Sequence, residues 1–150
     1  MSSWRKAAGV AARRTELALK AFVVEDHLAI RESLIEALRE LTGIETAGVA
    51  GSQKDAVAWL SDSANDWDIA IVDLILEPGG SGFGVLNECR NRGPDRKMVV
   101  LTATANPDVR RQCEALGCDG VFDKSMETDA LIDYCLALAQ AARARNADSL

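Results

Sequence analysis

The stretch KAFVVED, residues 20–26, joins a short apolar run directly to two carboxylates. The run IAIV, residues 69–72, ends at Asp73 in the same way. Runs that are apolar at every position are typical of strands in a parallel sheet, because helices cover both faces of such a sheet. The two stretches therefore predict two interior strands of a parallel sheet, each followed by acidic side chains.

Two later runs end in a hydroxyl and in a cation. MVVL, residues 98–101, is followed by Thr102, and VFD, residues 121–123, is followed by Lys124. In open α/β sheets, ligands bind beyond the carboxyl ends of the strands. If the four runs are neighbouring parallel strands, three carboxylates, one hydroxyl and one ammonium meet in one pocket. That combination suits a divalent cation and a phosphoryl group.

Apolar residues at helical spacing separate the predicted strands. They predict a first helix over residues 27–41, followed by a second strand over residues 44–50, and Ser52 is placed to cap the next helix. Thr128 is placed to cap a last helix that runs to about Arg143. Five strands alternating with five helices predict an α/β fold, a doubly wound parallel sheet between two layers of helices.

The domain organisation follows from length and composition. The 150 residues suit one domain, which we expect over residues 17–145. Residues 1–16 are rich in Ala, Arg and Ser, and we expect a loose arm or a short helix outside the core. Residues 146–150 are expected to form a C-terminal tail.

Composition argues against several classes of function. Acidic residues outnumber basic ones by 23 to 17, and this balance argues against direct nucleic-acid binding. There is no apolar stretch of the ~18 residues that a membrane span needs and no apolar signal core, so we expect no membrane contact and a cytoplasmic location. The single histidine, His27, argues against catalytic triads and multi-histidine metal sites. The four cysteines, which form no CxxC pair, are expected to be buried free thiols.

Residues 19–141 resemble the receiver domain of bacterial two-component response regulators. That family is characterised by an acidic pair after strand one, a phosphoacceptor aspartate after strand three, Thr or Ser after strand four, and Lys after strand five. The matching residues are Glu25 and Asp26, Asp73, Thr102 and Lys124. The resemblance implies a flavodoxin-like three-layer α/β/α fold with strand order 2-1-3-4-5.

A bound cation is expected at the acidic residues. Carboxylates about 4 Å apart repel by roughly 4 kcal/mol at an effective dielectric near 20, so three together are costly without one. Hard oxygen ligands suit Mg²⁺ or Mn²⁺. The predicted ligands are Asp26, Asp73, Glu25 (directly or through water) and the backbone carbonyl of Ile75.

The resemblance also implies a function. A histidine kinase or a phosphotransfer protein would donate a phosphoryl group to Asp73, with Thr102 and Lys124 contacting that group. The protein would then be a signalling phosphoacceptor that catalyses only its own phosphorylation and dephosphorylation. The few residues outside the core lead us to expect a stand-alone receiver. Its output would go through protein contacts of the fifth strand and its flanking helices, to a downstream target or a homodimer, or phosphate would be relayed onward.

Three positions depart from the family pattern. Ser125 follows Lys124 where many receivers have a cis proline, which leaves open whether this peptide bond is cis or trans. Val121 stands at the usual aromatic switch position, and strand alternation directs the neighbouring Phe122 to the other face. The loop after Asp73 is longer than usual, and its apolar residues 74–76 are expected to line the pocket and slow hydrolysis of the phosphoryl group.

Other interpretations remain open at this point. The chain could be a degenerate receiver that binds proteins without phosphorylation, or a phosphohydrolase of the haloacid dehalogenase kind, although the second aspartate of that family's motif is missing. Asp73 could only cap a turn, and Glu25 and Asp26 could only cap a helix. Thr102 could be an ordinary strand-end hydroxyl, and Lys124 could be a solvated surface lysine. The glycine-rich residues 79–82 lack a phosphate-loop pattern and are interpreted as a flexible loop.

Overall fold

The computed structural model describes residues 18–76 and 79–148, so the predicted arm over residues 1–16 lies outside the described residues. The strands are β1 (Lys20–Val24), β2 (Glu45–Ala50), β3 (Ile69–Val72), β4 (Lys97–Thr102) and β5 (Gly120–Asp123). The helices are α1 (Leu28–Thr42), α2 (Gln53–Ser61), α3 (Gly82–Glu88), α4 (Pro107–Ala115) and α5 (Thr128–Asp148). The predicted alternation of strands and helices is confirmed.

The five strands form one parallel sheet in the order β2-β1-β3-β4-β5. This is the predicted order, and it makes β1 and β3, which carry the apolar runs of residues 21–24 and 69–72, direct neighbours inside the sheet. Their residues pair in register, with Val24 of β1 opposite Val72 of β3. The acidic residues that follow the two strands therefore emerge side by side at one edge of the sheet.

Two apolar layers enclose the sheet. Phe22 and Val24 face the layer under α2, α3 and α4, whereas Ala21 and Val23 face the layer under α1 and α5. The alternation along β1 explains why every residue of the run is apolar, since both faces of the strand are buried. The result is the predicted three-layer α/β/α arrangement.

Capping residues are found at the ends of several helices. Ser52 and Ser81 accept hydrogen bonds from backbone N–H groups in the first turns of α2 and α3, and Gly43 ends α1 with a φ of 76°. The prediction that Thr128 caps the last helix is wrong. Thr128 is the first residue of α5, and its hydroxyl donates a hydrogen bond to the carbonyl of Lys124 at 3.0 Å.

The last helix is longer than predicted. α5 continues past Arg143 to Asp148, so helical structure reaches into the segment that was expected to be a C-terminal tail. Ala139 and Ala142 are buried, so the predicted part of the helix stays packed against the domain up to its end. Among the described residues, no helix combines the length and the apolarity needed to cross a bilayer.

Candidate functional site

The candidate site lies at the carboxyl ends of β1, β3, β4 and β5. Backbone hydrogen bonds continue past the strand ends, from Asp73 N–H to the Val24 carbonyl and from Lys124 N–H to the Thr102 carbonyl, both at 2.9 Å. The residues that follow the strands are therefore held by the sheet itself. Such backing restricts the positions of the functional side chains more than a free loop would.

Lys124 connects the two buried carboxylates of the site. Its Nζ lies 2.7 Å from Oδ2 of Asp73 and 3.1 and 3.3 Å from the two oxygens of Glu25. Glu25 is 4% exposed and Asp73 is 7% exposed, so this ion pair is largely removed from water. The possibility that Lys124 is only a solvated surface residue is therefore excluded.

The crowding of charges changes two pKa values. Burial, the hydrogen bond to Asp73 and the charge of Asp73 raise the pKa of Glu25 to about 7, against the opposing influence of Lys124. Burial alone would lower the pKa of Lys124, but its hydrogen bonds and charge interactions with the two carboxylates outweigh burial, and its pKa is raised. The site therefore holds a firmly protonated ammonium beside a carboxyl that is easily protonated.

The acidic residues fit a divalent cation. Carboxylate oxygens of Glu25, Asp26 and Asp73 lie within 4.8 Å of one another, and Asp26 is exposed whereas the other two are buried. One side of the cluster thus faces solvent, which leaves room for water or a phosphoryl oxygen. A set of hard oxygen donors with such an open side suits Mg²⁺ or Mn²⁺.

Thr102 is at the site but has a different partner. It is completely buried at the end of β4, and its hydroxyl lies 3.2 Å from the Thr104 hydroxyl and accepts a hydrogen bond from the Thr104 N–H at 3.3 Å. The structure thus brings Glu25, Asp26, Asp73 and Lys124 together, while it holds Thr102 in a turn with Thr104.

The capping alternatives are also decided by contacts. The N-cap of α1 is His27, an exposed residue whose side chain makes no capping hydrogen bond, so the interpretation of Glu25 and Asp26 as caps is wrong. Asp73 does stabilise a turn, since its Oδ1 accepts a hydrogen bond from the Ile75 N–H at 3.3 Å. It does so while its other oxygen binds Lys124, so the turn is not its sole role.

The loop after Asp73 differs from the prediction. Leu74 and Leu76 are buried in the core layer under α2, α3 and α4, and only Ile75 remains exposed, at 60%. The expectation that all three side chains line the pocket is therefore wrong for Leu74 and Leu76. Leu74 and Leu76 thus face the core, whereas Ile75 between them faces solvent. Ile75 also pairs with Ser81 in an isolated antiparallel bridge.

The structure shows the conformation of the Lys124–Ser125 peptide bond and the faces on which Val121 and Phe122 lie. The described residues contain no cis peptide bond, so the Lys124–Ser125 bond is trans. Phe122 packs against Tyr134 in the layer under α1 and α5, and Val121 packs in the opposite layer, which confirms the predicted separation of their faces.

Arg110 is a residue that sequence reasoning missed. Its guanidinium donates hydrogen bonds to the carbonyls of Ala105 and Val121 at 3.2 and 2.9 Å and pairs with the carboxylate of Glu127. It thereby connects the loop after β4, the strand β5 and the start of α5. The only sequence signal is an arginine in the second turn of a polar helix, which does not distinguish it from its neighbour Arg111.

Several exposed apolar side chains are close in sequence to the charged residues of the site. Leu28, Ile30, Ile75 and Met126 are exposed, the last at 85%, and each lies within five residues of a charged residue of the site along the chain. A groove of about 480 Å³ continues from Lys124 between α1 and the start of α5. Its lining residues are Ala29, Ile30, Ser33, Leu34, Ala37, Leu101, Lys124 and Thr128.

Comparisons with known proteins agree with this arrangement. The profile of the family described as "Response regulator receiver domain" matches residues 21–135. The DNA-binding transcriptional activator DevR/DosR of Mycobacterium tuberculosis is 27% identical over 109 residues, which are 73% of this chain and 49% of that protein. The nitrate/nitrite response regulator protein NarP of Escherichia coli is 30% identical over 124 residues, 81% of this chain and 55% of that protein.

Solved structures share the fold. The phosphorylated cyanobacterial phytochrome response regulator RcpA aligns with a TM-score of 0.66 and 26% identity, over 81% of this chain and 91% of that one. The receiver domain of the Francisella response regulator 1452 aligns with a TM-score of 0.70 and 23% identity, over 82% and 98% of the two chains. The chain spans about half the length of the curated relatives it matches.

Proposed function

The chain belongs to the response regulator receiver domain family, and on that premise we propose that it accepts a phosphoryl group on Asp73 in a Mg²⁺-dependent reaction. The donor is a histidine kinase or a phosphotransfer protein, and the phosphorylated form changes its contacts with other proteins. The observation that carries this proposal is the 2.7 Å contact between Lys124 Nζ and Asp73 Oδ2 inside a cluster of three carboxylates. A buried nucleophile held beside a cation-binding cluster and an ammonium is arranged to receive a charged group.

The transfer itself requires little covalent chemistry from the protein. A carboxylate oxygen of Asp73 forms a bond to the phosphorus atom while the P–N bond of the donor's phosphohistidine breaks, and the electron pair of that bond stays on the imidazole nitrogen. Bound Mg²⁺ would neutralise negative charge on the phosphoryl oxygens. Asp26, Asp73, Glu25 (directly or through water) and the Ile75 carbonyl would hold it, and the three carboxylates among them form the oxygen cluster described above.

Lys124 and Thr102 would respond to the new group. Phosphorylation replaces the carboxylate charge of Asp73 with a phosphoryl group of higher charge, about −1.5 to −2 near neutral pH. Lys124, already within 2.7 Å of Asp73, would follow this charge. Thr102 would donate a hydrogen bond to the phosphoryl group and give up its contact with the Thr104 hydroxyl. The turn after β4 would then have to move.

Arg110 offers a route from that turn to the surface. Its hydrogen-bond partner Ala105 follows Thr104 directly, and its other contacts reach Val121 and Glu127. A shift of the turn would therefore disturb β5 and the start of α5 together. A reversal from mostly inactive to mostly active needs about 5.5 kcal/mol, and a few charge-assisted hydrogen bonds formed only after phosphorylation supply such a difference. Arg110 would thus take over the coupling that the family assigns to an aromatic side chain.

The surface around the site supports proteins as its partners. The exposed Leu28, Ile30 and Met126, and the apolar groove that Ile30 lines together with Lys124, offer apolar contact area that a small phosphodonor does not need. The acidic balance of the chain, 23 against 17 charged residues, disfavours direct contact with nucleic acid. A downstream protein, or a second copy of the chain, is therefore the proposed target.

Phosphorylation with a small donor tests the proposal directly. The full chain is incubated with acetyl phosphate and Mg²⁺, and its intact mass is measured. We expect the added mass of one phosphoryl group on the wild type and on Asp95→Asn, an exposed control, and none on Asp73→Asn. A wild type that gains no mass, or an Asp73→Asn variant that does, would overturn the proposal in favour of a phosphorylation-independent binding module.

A further inference from the structure

We infer that Gln53 is a positioning residue for the cation-binding loop. Its side-chain amide, which lies between two glycines, fixes Ser81 and through it the backbone of Ile75. The inference rests on the proposed function, because it takes Ile75 and Asp73 as ligands of Mg²⁺. Gln53 itself is the first residue of α2 and belongs to none of the strand ends that form the site.

The amide of Gln53 connects α2 to both ends of α3. Its Oε1 accepts a hydrogen bond from the Ser81 N–H at 3.0 Å, and its Nε2 donates one to Oε2 of Glu88 at 2.9 Å. Ser81 is the N-cap of α3 and Glu88 is its last residue. One neutral side chain thus fixes the position and direction of the helix that follows the loop.

Ser81 passes this constraint to the site. It pairs with Ile75 across an antiparallel bridge, and the next residue, Gly82, donates its N–H to the Leu74 carbonyl at 3.0 Å. Ile75 in turn donates its N–H to Oδ1 of Asp73 at 3.3 Å. The backbone that carries the predicted Ile75 ligand is therefore held between Asp73 on one side and the Ser81 segment on the other.

Glycines in the loop and in the first turn of α3 leave the space that this arrangement needs. A Cβ atom at Gly80 would lie 2.6 Å from Cβ of Gln53, and one at Gly84 would lie 2.2 Å from its amide nitrogen. Neither glycine has a positive φ, so it is the missing side chain that matters at these two positions. A Cβ atom at Gly82 would lie 2.2 Å from the carbonyl oxygen of Asp73. The glycine run is therefore a packed contact with Gln53 and Asp73 at these positions.

An amide is the side chain that these contacts require. The Ser81 N–H needs an acceptor and the Glu88 carboxylate needs a donor, and a glutamine offers both on one group. Replacing a residue that orients a metal ligand without contacting the metal commonly lowers metal affinity by about 10–100-fold. Because Gln53 acts through two backbone steps, we expect an effect at the low end, roughly tenfold.

Calorimetric titration of the metal-free full chain with MgCl₂ tests the inference. Gln53→Met, which keeps the length and loses both hydrogen bonds, should bind Mg²⁺ roughly tenfold more weakly than wild type. Lys54→Met, at the next and exposed position of α2, should bind like wild type. Phosphorylation by acetyl phosphate should slow at limiting Mg²⁺ and recover at saturating Mg²⁺, because the residue positions the cation and does not touch the reacting atoms.

Gly84→Ala supplies an independent test that keeps Gln53 in the chain. Its new methyl group would displace the Gln53 amide, so this variant should show the same loss of Mg²⁺ affinity. The double variant Gln53→Met/Gly84→Ala should bind Mg²⁺ no more weakly than either single variant, since both substitutions disrupt the same contacts of the Gln53 amide. Additive losses, or wild-type affinity in Gln53→Met, would overturn the inference.

The measurements on wild type and on Gln53→Met distinguish the proposed function from the role of Gln53. A wild type that binds no Mg²⁺ and takes no phosphoryl group would overturn the proposed function and this inference with it. A wild type that binds and is phosphorylated, together with a Gln53→Met variant of unchanged Mg²⁺ affinity, would overturn the role of Gln53 alone.

Discussion

Lys124 and Asp73 are 51 positions apart in the sequence, and their side chains meet at 2.7 Å. Lys124 also lies 3.1 Å from Glu25, so one ammonium neutralises two buried carboxylates. Among the described residues, Lys124 is the cation that forms ion pairs with both acids. Binding of Mg²⁺ and the Lys124 ion pairs are therefore two ways to compensate the same negative charge.

Replacing Lys124 should make the stability of the protein depend on Mg²⁺. In Lys124→Met the two buried carboxylates lose their counter-charge, and removal of one partner from a buried pair costs about 3 kcal/mol of unfolding free energy. Saturating Mg²⁺ should restore much of that loss. Urea unfolding with EDTA and with Mg²⁺ measures both values, and Lys54→Met at an exposed site is the control. An equal loss under both conditions would argue against a shared role of cation and ammonium.

The raised pKa of Glu25 predicts a pH-dependent stability of the metal-free protein. Its pKa is about 7 in the folded state against an ordinary 4.5, through burial and the neighbouring Asp73, with Lys124 opposing. The folded state thus binds more protons than the unfolded chain between these two values. The contribution of Glu25 to stability therefore falls as the pH rises from 4.5 to about 7.

The variant Glu25→Gln isolates this effect, because its amide does not titrate. The unfolding free energy of the variant minus that of wild type, measured in EDTA, should increase across this pH window and level off above it. A difference that stays flat or decreases with rising pH would contradict the raised pKa of Glu25.

Arg110 should be needed for the response to phosphorylation and not for phosphorylation itself. Arg110→Ala loses the contacts to Ala105, Val121 and Glu127, whereas Asp73 and Lys124 are untouched. We expect a phosphorylation rate within about twofold of wild type, since none of the lost bonds reaches the site. Hydrogen exchange should show that phosphorylation no longer changes protection of β5 and the start of α5.

Arg111 provides the control for this experiment. It is exposed, directly follows Arg110 in α4 and, among the described contacts, pairs with the nearby Asp108. Arg111→Ala should keep the exchange response of wild type. If Arg110→Ala keeps it as well, the coupling must run through other contacts.

The interior strands could be predicted because a strand that is buried on both faces has an uninterrupted run of apolar residues. The run Ala21–Val24 is buried at every position, and its neighbour β3 is too. Because the site residues directly follow these strands, their meeting at one edge of the sheet could be predicted as well. β2 was also predicted, although it lies at the sheet edge and exposes every second residue from Glu45.

What the sequence did not reveal depends on the conformations of individual side chains. The partner of Thr102 is Thr104, and Gln53 reaches Ser81 from another helix. Neither contact leaves a periodic pattern, because each joins two single polar residues. The run of glycines was visible, but glycine accommodates either a flexible loop or a close contact, and only the packed neighbour decides between them.

The exposed side chain of Ile75 leads to a prediction about the lifetime of the phosphorylated form. Leu74 and Leu76 are buried in the core, so Ile75, at 60% exposure, is the residue of this segment that is left to shield a phosphoryl group on Asp73 from water. Ile75→Asn keeps the backbone carbonyl and N–H that the site uses. Its phosphorylated form should lose the phosphoryl group several-fold faster, because a polar amide admits and orients water where the alkyl group excludes it.

The lifetime is measured by following the decay of phosphorylated protein by intact mass after removal of acetyl phosphate. Met126→Gln, which changes another exposed apolar residue near Lys124, is the matched control and should decay like wild type. Equal Mg²⁺ affinity of wild type and Ile75→Asn must accompany the result, because a displaced carbonyl would also alter the rate. An unchanged lifetime of Ile75→Asn at equal Mg²⁺ affinity would show that water reaches the phosphoryl group by a path that Ile75 does not cover.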